Sequence, residues 1–149
     1  ANDNSEGQIV VSGKNQDLEK FSILLKDLKI KNVKLPVSAP FHCSLMNKAT
    51  EVMRLELNKL NFTKGSNTLI SNVTADEIFN ANELKDLLVK QIENRVKWRE
   101  SVLKMINKGV NHFIEIGPGK VLSGLVKRIN KDVKINSVNN QQDIENLKL

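Results

Sequence analysis

The chain has 149 residues, 40% of them hydrophobic and 27% charged, with a formal net charge of +6 and a single cysteine. That is an ordinary size and balance for one folded unit. No apolar run approaches the roughly 20 residues that cross a bilayer, and no basic-then-apolar leader opens the chain. A lone Cys43 rules out an internal disulfide and fits a reducing compartment. The positive charge admits nucleic acid, an anionic membrane or an acidic protein as partner. With 4% aromatics and no Tyr, however, the chain lacks the stacking platforms of a single-strand binder. A lysine-rich composition also accounts for the charge by itself. The chain opens on Ala1-Asn2-Asp3-Asn4 without Met, which reads as a processed or truncated protein.

In chain order, Gln8 to Ser12 predicts a short strand, with Ile9, Val10 and Val11 closed by Gly13. Leu18, Phe21, Leu24, Leu25 and Leu28 recur at helical spacing, so a helix is expected over about 16–28. Val33, Leu35 and Val37 alternate as in a strand, with Pro36 placing it at an edge or an end. From His42 to Leu60 runs the longest helical pattern, striped by Met46, Ala49, Met53, Leu57 and Leu60. Residues 68–73 predict a further strand. Asn80 with Glu83 resembles a capping box before a helix carrying Leu84, Leu87, Leu88 and Ile92. The next helix carries Trp98, Val102, Met105 and Ile106, stopped by Gly109. His112 to Ile116 predicts a strand broken by Gly117-Pro118-Gly119. A helix with Val121, Leu122, Leu125, Val126 and Ile129 follows, then a strand over 133–138 and a polar tail with room for a short helix. Strands alternating with helices make the class α/β.

Three places could carry chemistry. His42 follows Pro36 and Pro40, whose fixed φ stiffens the loop. A histidine titrates near neutral pH, as a general base should; in the same position it could equally cap a helix or fill a core. Cys43 invites a Cys/His nucleophile, but helical neighbours point about 100° apart, and a small buried thiol is the better reading. Gly117-Pro118-Gly119-Lys120 precedes a helix, whose N-terminus can bind phosphate. Its glycine spacing is not that of a P-loop, and a tight turn explains it. Lys127-Arg128 complements the C-terminal end of that helix and reads as a solvated face unless an acidic partner is expected. His112 has no metal-ligand spacing to His42 and Cys43 and is assigned no role.

Taken together, three segments resemble one family in one order. They are Asn2-Asp3-Asn4-Ser5-Glu6-Gly7-Gln8-Ile9-Val10-Val11-Ser12-Gly13, then Leu35-Pro36-Val37-Ser38-Ala39-Pro40-Phe41-His42-Cys43-Ser44-Leu45-Met46, and Glu115-Ile116-Gly117-Pro118-Gly119-Lys120-Val121-Leu122-Ser123-Gly124-Leu125-Val126-Lys127-Arg128-Ile129. They resemble the bacterial malonyl-CoA:acyl carrier protein transacylases, kin to the acyltransferase domains of fatty-acid and polyketide synthases. The likeness spans essentially the whole chain. One departure is large. The family's nucleophile sits in a Gly-His-Ser-x-Gly elbow, and no Gly-x-Ser-x-Gly occurs here. The resemblance therefore implies a C-terminal half, inactive by itself, without the family's serine, carboxylate-binding arginine and oxyanion glutamine.

The resemblance implies an α/β architecture in which residues 1–38 are part of a small ferredoxin-like subdomain. Residues 39–149 are the C-terminal part of a larger, hydrolase-like α/β acyltransferase subdomain, with the substrate cleft between the two. His42 matches the histidine that activates first serine and then the incoming phosphopantetheine thiol, in a ping-pong reaction. Gln91 matches a position whose backbone carbonyl orients that histidine, and Asn72 a residue near the pocket. Phe41 matches a selectivity position: in related polyketide acyltransferases Phe before the histidine goes with malonyl and Ser with methylmalonyl. Lys127 and Arg128 would help dock the carrier protein. Malonyl-CoA and acyl carrier protein are the partners implied, with no metal, cofactor, nucleic acid or membrane, in the cytoplasm. Two alternatives stay open, a non-catalytic carrier-protein-binding fragment and an acyltransferase for another acyl-CoA.

Overall fold

In the computed structural model the described residues are 1–63 and 65–147. The chain begins with an antiparallel hairpin of β1 (Asn2–Ser5) and β2 (Gln8–Val10), turned at Gly7, whose φ of 71° suits a residue without Cβ. The sequence predicts only the second strand, extended to Ser12. The first is too polar to carry a β signal, and its inward residues are Asp3 and Ser5, both buried. Asp3 is accommodated there because Arg99 grips its carboxylate with two hydrogen bonds, from Nε at 3.1 Å and Nη2 at 3.0 Å.

α1 (Asn15–Asp27) follows as expected, but none of its residues is buried, and Phe21, Leu24 and Leu28 lie open to solvent. The strand expected at Val33 to Val37 is irregular chain. Val37 N–H turns back onto the Leu35 carbonyl at 2.9 Å, and Pro36 has no N–H to give, so a ladder cannot form. The long helix expected from His42 starts later. Its first turn is 3-10, Ser44–Met46, and α2 proper is Asn47–Asn58. His42 has a φ of 59°, which no helix accommodates.

The strand expected over 68–73 shrinks to β3 (Leu69–Ile70), paired antiparallel with β4 (Glu77–Ile78). Ser71 ends it. Its buried hydroxyl accepts from Val73 N–H and Thr74 N–H, and its N–H donates to the Asp76 carbonyl, which makes a tight turn. α3 (Ala81–Lys90) is capped as expected, Asn80 Oδ1 accepting from Glu83 N–H at 2.8 Å. In return the Glu83 carboxylate accepts from Phe79 N–H, one residue earlier than in the usual box.

α4 (Trp98–Asn107), β5 (His112–Ile116), α5 (Val121–Ile129), β6 (Lys134–Val138) and α6 (Gln141–Glu145) complete the chain. β5 and β6 pair in parallel, His112 opposite Lys134 through Ile116 opposite Val138, so β5-α5-β6 is a β-α-β unit. Leu87 and Val89 of α3, Val102 of α4, Leu125 and Val126 of α5, and Val138 of β6 form the core with Ala75. β1 packs against α4 and α5, and a parallel bridge joins Asn2 to Val96.

Candidate functional site

The segment between α3 and α4 is where several loops meet. α3 is followed by its C-cap, Gln91, and like any helix end it leaves carbonyls without partners inside the helix. His42 Nδ1 lies 2.7 Å from the Gln91 carbonyl oxygen. A carbonyl only accepts, so in neutral His42 the proton sits on Nδ1 and the lone pair on Nε2. Among the described residues nothing hydrogen-bonds Nε2. The main chain is anchored beside it, His42 N–H donating to the Ile92 carbonyl at 3.1 Å. The left-handed backbone of His42 is uncommon outside glycine, costs about 1–3 kcal/mol, and clusters at functional sites. Cys43 points elsewhere, its Sγ 3.2 Å from the Pro40 carbonyl.

The same segment is held on its far side. Lys97 N–H donates to the Asn72 carbonyl at 2.8 Å, and Asn72 Nδ2 to Gln91 Oε1 at 3.2 Å. Asp3 N–H donates to the Val96 carbonyl, and Val96 N–H to that of Ala1. Asn72 and Gln91 form the polar wall of a cleft of about 220 Å³ whose other walls include Leu69, Ile78, Leu84 and Leu87. Phe41, directly before His42, is about half exposed. His42, Gln91 and Asn72 are thus brought together, with Phe41 beside them.

Lys127 and Arg128 are elsewhere, and they part company. Lys127 lines a shallow groove on α5 with Lys120, Ser123 and Ser137. Arg128 Nη1 instead hydrogen-bonds Gln8 Oε1 of β2.

Sequence reasoning did not single out two groups that matter. Ile92 contributes through its carbonyl alone, which no side-chain pattern encodes. Glu115 does carry a signal, an acid just before the Gly117-Pro118-Gly119 turn. Its Oε1 accepts from Leu122 N–H at 3.0 Å and its Oε2 from Ser123 N–H at 2.7 Å. Burial pushes this carboxyl up, but the hydrogen bonds from Ser123, Leu122 and Val121 outweigh it and hold the group below its ordinary value. The N-terminus of α5 is therefore filled by the chain's own carboxylate, which removes the free N–H groups a phosphate would need. The tight-turn reading of Gly117 to Lys120 stands, with Asn139 Oδ1 bracing Gly119 N–H.

No helix among the described residues is long and apolar enough to cross a membrane. No family model matches the chain. The malonyl CoA-acyl carrier protein transacylase of Bacillus subtilis (strain 168) is 42% identical over 146 residues, which are 97% of this chain and 46% of the relative. The crystal structure of malonyl CoA-acyl carrier protein transacylase from Clostridium perfringens is matched with a TM-score of 0.93 at 43% identity, over 98% of this chain and 46% of that one. A second structure, a type II PKS acyl-carrier protein in complex with its malonyl-transacylase, is matched at TM-score 0.92 and 33% identity, over 97% of this chain and 47% of that one. The chain spans about half the length of the relatives it matches.

Proposed function

The chain is homologous to about half of the malonyl CoA-acyl carrier protein transacylases, and from that premise we propose that it supplies their general base, His42. The observation carrying this reading is the bond from His42 Nδ1 to the Gln91 carbonyl at 2.7 Å, which leaves Nε2 as the basic nitrogen on a backbone held in the left-handed region. A main-chain carbonyl here does the orienting that an acid does in a Ser-His-Asp triad.

In the proposed reaction the serine comes from the other half of the enzyme. His42 Nε2 takes the serine proton as Oγ attacks the malonyl thioester carbon. The C–S bond breaks, and the CoA thiolate leaves and takes the proton from Nε2. The phosphopantetheine thiol of acyl carrier protein then gives its proton to Nε2, attacks the malonyl ester and releases serine, which regains that proton. Each half-reaction is one proton out and one back, the ping-pong pattern of covalent catalysis. The complex of a carrier protein with its malonyl-transacylase among the matched structures supports the carrier as second substrate. The same reading makes the chain the C-terminal half, divided near residue 38, with a place in cytoplasmic fatty-acid synthesis. It leaves Phe41 and Asn72 at the pocket and Lys127 with Arg128 toward the carrier.

The experiment is a chimera in which this chain replaces the matching half of the Bacillus subtilis relative. Malonyl transfer from malonyl-CoA to carrier protein is expected from the chimera and not from the 149-residue chain alone. His42→Ala in the chimera should cut the rate by roughly 10²-fold or more while leaving the fold intact. Transfer by the chain alone, or an undiminished rate in His42→Ala, would overturn the assignment.

A further inference from the structure

Gln91 is the C-cap of α3, where helix ends fray: its peptide is tied to the helix by Gln91 N–H to the Leu87 carbonyl at 3.0 Å and by the longer Ile92 N–H to the Val89 carbonyl at 3.3 Å, and a shift of that peptide plane would free Nδ1. We propose that Asn72 is the positioning residue that prevents this and so selects the His42 tautomer; the inference rests on the reading of His42 as the base. Asn72 sits on the tight turn that starts at Ser71, whose hydroxyl and main chain take three local hydrogen bonds to Val73, Thr74 and Asp76. A fourth, from Ala75 N–H to the Ser71 carbonyl at 2.9 Å, closes it, and Ser71 and Ala75 are both buried. The turn is therefore a fixed support. From it Asn72 reaches the segment between α3 and α4 at two points, its side-chain amide meeting Gln91 Oε1 at 3.2 Å and its carbonyl taking Lys97 N–H at 2.8 Å. With the two ends of the segment pinned to one rigid turn, the Gln91 carbonyl between them has one orientation, and it faces His42 Nδ1. Asn72 does not touch the imidazole; it acts through Gln91.

The test reads the imidazole directly. Long-range ¹⁵N–¹H correlation spectra of the chain, at a pH where the ring is neutral, report which nitrogen of His42 carries the proton. The wild type should show the Nδ1–H tautomer. Asn72→Ala should draw the Nδ1 and Nε2 resonances toward each other as the Nε2–H form becomes populated. Gln91→Met, which cuts the same bond from its other end and keeps the carbonyl, should do likewise, and the double variant should add nothing. His112, whose Nε2 is 2.7 Å from Asn136 Oδ1, is the control and should not move. If Asn72→Ala fails to fold, judged by loss of the His112 pattern, Gln91→Met alone decides. Unmoved His42 resonances in Gln91→Met overturn the inference and leave the base assignment standing. A wild type without the Nδ1–H tautomer overturns the base assignment itself.

Discussion

Phe41 and His42 are neighbours in sequence with opposite needs. His42 is fixed at both its main-chain N–H and its Nδ1, whereas Phe41 is about half exposed. Under the proposed function, a ring in that position would take the volume of a methyl branch on the acyl group. One methyl is discriminated by roughly 1–3 kcal/mol, about 10- to 200-fold. In the chimera, Phe41→Ser should relax the preference for malonyl-CoA over methylmalonyl-CoA, mainly by admitting the branched substrate. The measurement is kcat/KM for both. A ratio that moves less than about twofold, well below that methyl-sized range, makes Phe41 a packing residue.

Among the elements, α5 shows how charge is placed. Its N-terminus is closed by Glu115, whose folded pKa is lowered by the N–H groups it accepts even though burial works the other way. A carboxyl with a lowered folded pKa contributes stability above its unfolded value of about 4.3, and that contribution is lost as pH falls through the lower folded value. Thermal melts of the chain should thus show the melting temperature dropping as pH goes below about 4.3, with a shallower slope in Glu115→Gln. Some slope should remain, because Asp76 is also lowered, chiefly by its hydrogen bond from Lys104. Equal slopes in the two proteins would mean that Glu115 does not cap α5 in solution. At the other end of the helix, Lys127 and Arg128 point to different surroundings. Arg128 is engaged with Gln8 and Lys127 faces an open groove. Surface charges act mainly on encounter and are screened by salt. Lys127→Ala should therefore raise the KM of the chimera for carrier protein more than Arg128→Ala does, with the malonyl-CoA KM unchanged in both. A matching rise for malonyl-CoA would argue against docking there.

At the scale of the whole molecule, the packing is lopsided. α3, α4, α5 and β6 share a core, but α1 buries nothing, and Ile9, Val33, Ile116 and Val121 are at least 70% exposed. Two-stranded sheets are marginal by themselves, and a parallel pair is normally covered on both faces. Apolar surface of this extent, with open strand edges, promotes association. In sedimentation the 149-residue chain should form assemblies, or residues 2–38 should exchange their amides rapidly. A monomer that unfolds cooperatively with protected amides throughout 2–38 would contradict this.

How much was legible follows from what a sequence records. The helices at Asn15, Ala81, Trp98 and Val121 show as apolar spacing, and the α3 cap as Asn80 with Glu83, because both are local consequences of helix geometry. The motif around His42 is equally local, as is the Gly117 to Gly119 break, so the family likeness and the candidate base could be read directly from the residues. β1 could not, since its inward residues are polar and its Asp3 is held in burial by Arg99, distant in the chain. The failed strand at Val33 to Val37 had the right alternation and no partner to pair with. The late start of α2 was hidden too, because the left-handed φ of His42 is imposed by bonds to Gln91 and Ile92. The type and spacing of side chains determined the helices and, through the motif around His42, which residue could act as a base. Only tertiary structure decided that Asp3 is buried against Arg99, that the main chain of His42 is tied to the Ile92 carbonyl, and which of two adjacent cations is engaged by Gln8, because hydrogen bonds between groups distant in the chain leave no trace in side-chain order.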